Sequence, residues 1–292
     1  MIRRIELSSR RTFVLATGAA LLAAPASRII DTHIHLYDPT RPQGVPWPPK
    51  TDALLYKPVL PDAFAARVRP LGVTGAVVVE ASAWLEDNQW ILDLAKDRPF
   101  LVGHVGHLEP GTAEFRGHLA RFHKNPLFRG IRLNGNAINA GVARPDFLED
   151  LQRLSDAGLM LDAIGNASMI PSLLQLTKKL PNLRIAIDHM PAEPPGWLEH
   201  RSEMRELARV THVYAKVSGV LGPNRDRLDE VWDMFGPDRV MYGSNWPVSD
   251  RLGSYTTVLQ VMQDYLARKD ASMAEKYFWR NSQSCYRWTE RV

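Results

Sequence analysis

Only one cysteine, Cys285, occurs in the 292-residue chain. A single thiol excludes an internal disulfide and any metal site built from several cysteines. No stripe of lysines and arginines interleaved with aromatics is present, so the chain offers nothing to nucleic acid. No Gly-x-Gly-x-x-Gly follows an early strand, which argues against a dinucleotide fold. Internal repeats and low-complexity linkers are missing as well. Length alone allows one large domain or two small ones. With 45% hydrophobic and 23% charged residues, the chain can build a sizeable core.

The formal charge of +4 is mostly local. Residues 1–26 carry Arg3, Arg4, Arg10 and Arg11 against Glu6, leaving 32 basic and 31 acidic residues in the rest. Paired Arg10-Arg11, the apolar run Val14 to Ala24 and Ala24-Pro25-Ala26 together read as a twin-arginine export signal with a cleavage site. The run is shorter than the roughly 20 residues of a spanning helix. The expectation is a signal over residues 1–26, a single domain over 27–292 and a periplasmic location. Stable membrane insertion is not expected once the signal is cleaved.

After the signal a strand-then-helix rhythm begins at Ile29-Ile30-Asp31-Thr32-His33-Ile34-His35-Leu36. It continues through the apolar runs at 74–81, 100–105, 128–133, 159–163, 183–188, 213–217 and 240–242, each followed by a stretch of helical periodicity. Alternating βα units imply a parallel sheet, and eight of them imply an α/β fold of the (β/α)₈ TIM-barrel type. A proline-rich loop from Pro39 to Pro61 is too long for an idle connection and reads as a substrate-side loop.

In such barrels chemistry sits at the C-terminal strand ends. There the sequence places His33 and His35, Glu80, Arg132 and Asn134, Asp188-His189, Lys216 and Ser218, and Ser244-Asn245-Trp246. His33 and His35, two apart on one strand, share a face. They suit a metal, an acidic substrate, or a structural role against backbone carbonyls. Glu80 with Arg132 and Lys216 with Asp188 each have a structural reading as a buried ion pair. Charged groups on five strands converging on one mouth nevertheless point to an active site.

The segments Asp31-Thr32-His33-Ile34-His35, Val79-Glu80-Ala81, Gly130-Ile131-Arg132, Asp188-His189, Lys216-Val217-Ser218-Gly219 and Phe235 through Val248 resemble the signatures of the amidohydrolase-related barrel enzymes. They are most similar to the lactonase branch, with fuconolactonase, pyrone-dicarboxylate lactonase and sulfomuconolactonase. The resemblance implies a hydrolase that opens a small polar lactone or related ester-like bond, with a divalent metal, usually zinc, in some members. By position it implies His33, His35, Glu80 and His189 as metal ligands, and Arg132 and Lys216 as holders of a substrate carboxylate or hydroxyl. His189, Asn245 and Arg132 are then the catalytic candidates. The tryptophans Trp47, Trp84 and Trp246 read either as walls of a sugar-sized pocket or as packing, with Trp84 and Trp246 taken as substrate-side. The partner is a small molecule, and a homo-oligomer is compatible with the sequence.

One position departs from the pattern. Most characterised members end the eighth strand Gly-Ser-Asp-Trp-Pro, with the aspartate as general base, whereas this chain has Asn245. An amide cannot take a proton near neutral pH. The alternatives are a metal-bound water oriented by Asn245, a histidine base, a decarboxylase of the same superfamily, or a non-catalytic binding protein.

Overall fold

The computed structural model describes residues 26–189, 199–221 and 227–291. Apart from Ala26, the expected export signal lies outside them. The chain runs β1 (Ile29–Ile34), α1 (Pro61–Val68), β2 (Val73–Val79), α2 (Leu85–Ala95), β3 (Leu101–Gly106), α3 (Phe115–Phe122) and β4 (Phe128–Asn134). It continues through α4 (Gly135–Gly141), α5 (Pro145–Asp156), β5 (Met160–Ile164), α6 (Ile170–Lys179), β6 (Ile185–Ile187), α7 (Arg201–Ala208) and β7 (Val213–Val217). The remainder is α8 (Leu228–Phe235), β8 (Val240–Tyr242), α9 (Tyr255–Leu266), α10 (Ala271–Glu275) and α11 (Asn281–Tyr286). All eight strands are parallel and ordered β1 to β8. The expected helices are present, because prolines at the first turns of α1 and α5 and the Ser254 cap of α9 start them where the apolar periodicity begins. The short α4 has no apolar stripe to announce it. It forms because Asn134, at the end of β4, caps it by accepting the Ala137 amide.

Closure between β1 and β8 relies on few backbone bonds. Asn245 N–H donates to His33 O and His35 N–H to Trp246 O, both at 2.9 Å. Side chains complete the seam. Thr32 Oγ1 donates to Tyr242 O at 2.6 Å, and buried Asp31 accepts from Ser244 N, His33 N and the Tyr255 hydroxyl.

A ladder irregularity falls between Asp31 and Ile34, where the Asp31 carboxylate draws the His33 amide out of the pairing. Ile30 packs inside the barrel and Ile34 in the outer core, although residues four apart in a regular strand face the same way. The irregularity thus sets the facing of the two histidines.

The outer core lies between strands and helices. Inside the barrel, Ile30, Val77, Val79, Met160 and Met241 pack on Cys285, Tyr286 and Trp288 of the C-terminal segment, which closes the lower end. Among the described residues, no helix is long and apolar enough to cross a membrane.

Candidate active site at the barrel mouth

Above the apolar floor lies a buried polar column. Alternation along β5, β6 and β7 turns Asp162, Asp188 and Lys216 inward with Met160, Ala186 and Tyr214. The Lys216 ammonium donates to Asp162 Oδ2 at 2.6 Å, pairs with Asp188 Oδ1 at 2.9 Å and lies 3.2 Å from His33 Nδ1. From below, the Tyr286 hydroxyl donates to Asp162 Oδ1 at 3.0 Å. Gly243 makes room for this arrangement: a Cβ there would meet His33 Cβ at 2.9 Å and Lys216 Cγ at 3.0 Å.

Three histidine rings gather on the column. His33 lies 4.9 Å from His35 and 4.5 Å from His189, centroid to centroid. Burial drives His33 well below its ordinary pKa. It takes His35 down to about 3, with the Arg132 charge adding to the effect, and His189 down to about 4. All three are therefore neutral at pH 7 and keep a lone pair for a metal or a proton. His35 Nδ1 lies 3.0 Å from the Val79 carbonyl and donates to it, which leaves Nε2 as the acceptor. His189 Nδ1 meets the Ser218 hydroxyl at 2.6 Å.

Burial opposes ionisation of Asp188, yet Lys216 and His33 hold its carboxyl well below the usual range. Burial pushes Asp162 up to about 7 although Lys216 stabilises its charge. The lysine itself is held above its ordinary value, because its two carboxylate partners outweigh burial.

Arg132 donates from Nε to Glu80 Oε1 at 2.9 Å and from Nη2 to Glu80 O at 2.6 Å. Among the described residues Nη1 has no protein acceptor, and the guanidinium charge reaches both His35 and His189. Asn245 and His189 both hold left-handed backbone, φ 60° and 61°. Such values are uncommon outside glycine, and here they fall at the ends of β8 and β6. Asn245 Oδ1 is buried without a donor among the described residues.

His33, Asp188 and His189 bring one ligand atom each within 4.8 Å of one another, the group among the described residues that could hold a metal ion. Asp188 Oδ2 and His33 Nε2, without a partner among the described residues, fit that role, and a nitrogen–nitrogen–oxygen set suits zinc or manganese. Two of the four anticipated ligands, His33 and His189, are in this group. His35 stands beside it, its ring edge-on to His33. Glu80 is engaged by Arg132, and the carboxylate in the group is that of Asp188.

Two of the anticipated substrate contacts need correction. Lys216 is fully buried, its ammonium paired with Asp162 and Asp188 beside His33, so it holds the column rather than a substrate. Trp246 is 5% exposed, packs its ring tilted against Phe64 with centroids 4.9 Å apart and donates Nε1–H to Asp250, which turns it into the outer core. Trp84 is exposed at the N-cap of α2, with no ring contact to the histidines among the described residues. Of the three tryptophans, Trp47 on the long loop stands at the mouth, 5.7 Å from the His35 ring. Asp162 escaped the sequence reading although it is the only charged residue in the run Leu159 to Ala163, the same signal that singled out the other strand ends.

Comparison with known proteins identifies the family. The profile of the family described as amidohydrolase matches residues 30–288. An L-fucono-1,5-lactonase of Burkholderia ambifaria is 32% identical over 246 residues, covering 77% of this chain and 82% of that one. A second L-fucono-1,5-lactonase, from Burkholderia multivorans, is 25% identical over 285 residues, 88% of this chain and 95% of the relative. The crystal structure of an amidohydrolase from Burkholderia multivorans with bound zinc superposes with a TM-score of 0.80. It is 24% identical, over 89% of this chain and 99% of that one. With the match spanning the whole barrel from β1 to the C-terminal closing segment, the chain belongs to the amidohydrolase family.

Proposed function

We propose that the chain opens a sugar-type lactone with water at the barrel mouth. The observation that carries this reading is the gathering of three neutral histidines, buried His33 and His35 and half-buried His189, beside a guanidinium whose Nη1 has no acceptor among the described residues, in a chain similar to fuconolactonases. His33, Asp188 and His189 would hold a divalent cation. When bound, such a cation supplies Lewis-acid polarisation of the lactone carbonyl.

The chain's own groups do the rest. Arg132 Nη1 donates to an oxygen of the substrate and orients the ring. Asn245 Oδ1 accepts one O–H of the attacking water and aims its lone pair at the carbonyl carbon. His35 Nε2 takes the proton as the oxygen–carbon bond forms, since its other nitrogen is committed to Val79 O. Collapse of the tetrahedral adduct breaks the ring C–O bond, and the same proton returns to the leaving oxygen. The product is a hydroxy acid. This scheme needs no carboxylate at position 245.

The work is done in the periplasm if the twin-arginine signal over residues 1–26 functions, and export of a reporter fused to those residues tests that. The reaction itself is tested with L-fucono-1,5-lactone in a weakly buffered indicator assay. Proton release above the spontaneous rate is expected. Carbon dioxide release from a hydroxybenzoate, without lactone opening, would favour a decarboxylase instead.

A further inference from the structure

Only Ser27 and Arg28 separate the expected cleavage point, after Ala24-Pro25-Ala26, from the start of β1. Both are held by the far end of the chain. The Ser27 N–H donates to Glu275 Oε1, on the last residue of α10. Trp279, between α10 and α11, donates Nε1–H to Glu275 Oε2 at 2.6 Å and so fixes the carboxylate. Arg28 pairs with Glu290 and lies 5.5 Å from the centroid of the Trp279 ring. The Glu275 side chain is 23% exposed. Burial opposes its ionisation, yet the bonds from Ser27 and Trp279 hold the carboxyl below its ordinary value. Among the described residues the cation facing it is Arg280, whose Nε stands 3.7 Å from Oε2, beyond hydrogen-bond distance. Neighbouring Lys276 is committed to Asp238. Oε1 is thus aimed at the one backbone nitrogen that signal removal would turn into a charged group. Ser27 is exposed, and neither it nor Ala26 belongs to a strand or helix, as cleavage between them requires.

We propose that Glu275 is a docking site for the new N-terminus, created when a signal peptidase cuts the Ala26–Ser27 bond. Water attacks the Ala26 carbonyl carbon and the bond to Ser27 N breaks. Ala26 leaves as the carboxylate end of the released signal, and the Ser27 nitrogen, with the protons of that water, becomes an ammonium. An amide–carboxylate hydrogen bond is thereby converted into an ion pair that clamps the start of β1 to the C-terminal segment under the barrel. The pair raises the affinity of the amine for its proton. Its stabilisation is therefore full below the ordinary α-amine value of about 7.7 and is lost as pH rises through the higher folded value. The unprocessed chain has no such term.

The test expresses the full chain in a host with twin-arginine export, recovers it from the periplasm and determines its N-terminal residue by mass spectrometry. Ser27 is the expected result. The α-amine is then titrated by competitive acetylation. In the wild type its proton affinity should lie about threefold above that of an ordinary α-amine, the worth of a partly exposed ion pair. Glu275→Gln keeps an acceptor for Trp279 and removes only the charge, so it should return the amine to the ordinary value. At pH 6.5 the same change should lower the folded-to-unfolded ratio of the processed chain by about threefold. It should lower it clearly less in an unprocessed chain kept from export by Arg10→Lys and Arg11→Lys. A different N-terminal residue, or a recovered chain that still carries its signal, would overturn the proposal. So would an ordinary α-amine in the wild type, or a shift that persists in Glu275→Gln.

Discussion

Asn245 sits where a base would be, with its acceptor oxygen buried and unpartnered among the described residues. An amide there can aim a water but not deprotonate it, which passes the proton to a neutral histidine. Asn245→Gly keeps the left-handed turn, because glycine adopts φ 60° without strain, and removes only the amide. It is expected to lower kcat by about 10- to 100-fold, with an unchanged thermal midpoint. The His35 ring, held down to about 3, also fixes the pH profile. Its neutral form is the active one, so kcat/KM should stay level from pH 8 to about 4 and fall only below that, as the ring becomes protonated. An acid limb near the ordinary histidine value of about 6.5 would contradict the assignment.

Among the elements, the loop from Pro39 to Pro61 shows what sequence conveys and what it withholds. Its length marks it as functional, but nothing in the residue string says how it is pinned. Arg41 lies 4.3 Å over the Trp90 ring and forms a bidentate pair with Asp87, with both side chains nearly buried. Tyr37 and Val59 bridge its two ends, and Arg251 pairs with Asp52 to tie the loop to the segment after β8. These pins hold Trp47 beside His35. Arg41→Ala strands a largely buried Asp87 carboxylate. It is expected to cost about 2 kcal/mol in a denaturant titration and to raise KM as Trp47 loosens. An unchanged KM would place Trp47 outside the substrate's reach.

For β1 the period-two reading brings His33 and His35 to one site. The irregularity at Asp31 that flips the strand's facing was not legible, because it depends on Ser244 and Tyr255, more than two hundred residues away. The two mistaken substrate contacts have the same origin. Lys216 and Trp246 are the right residue types at the right strand ends, but only long-range packing decides whether such a side chain faces the mouth or is buried beneath it.

At the scale of the whole barrel, a continuous polar column joins the closing segment to the mouth: Tyr286, Asp162, Lys216, then Asp188 and His33. Eight apolar strands and their rhythm were enough to give the architecture, since burial of both sheet faces dictates the pattern. The column was only half visible, because Asp162 and Tyr286 gain their meaning from each other across the barrel. Lys216→Met leaves two buried carboxylates without their cation and is expected to destabilise the fold by about 3–5 kcal/mol, read as a lower denaturant midpoint. A midpoint equal to wild type would mean that the column does not support the barrel.

The central claim is that this mouth opens a lactone with His35 as the proton acceptor. The most direct measurement compares initial proton release from L-fucono-1,5-lactone by the wild-type chain and by His35→Gln, with circular dichroism to show that both are folded. A wild-type rate well above the spontaneous one, reduced about 100-fold or more in the variant, is the expected result. Equal rates in the two proteins, or no acceleration by either, would contradict the account.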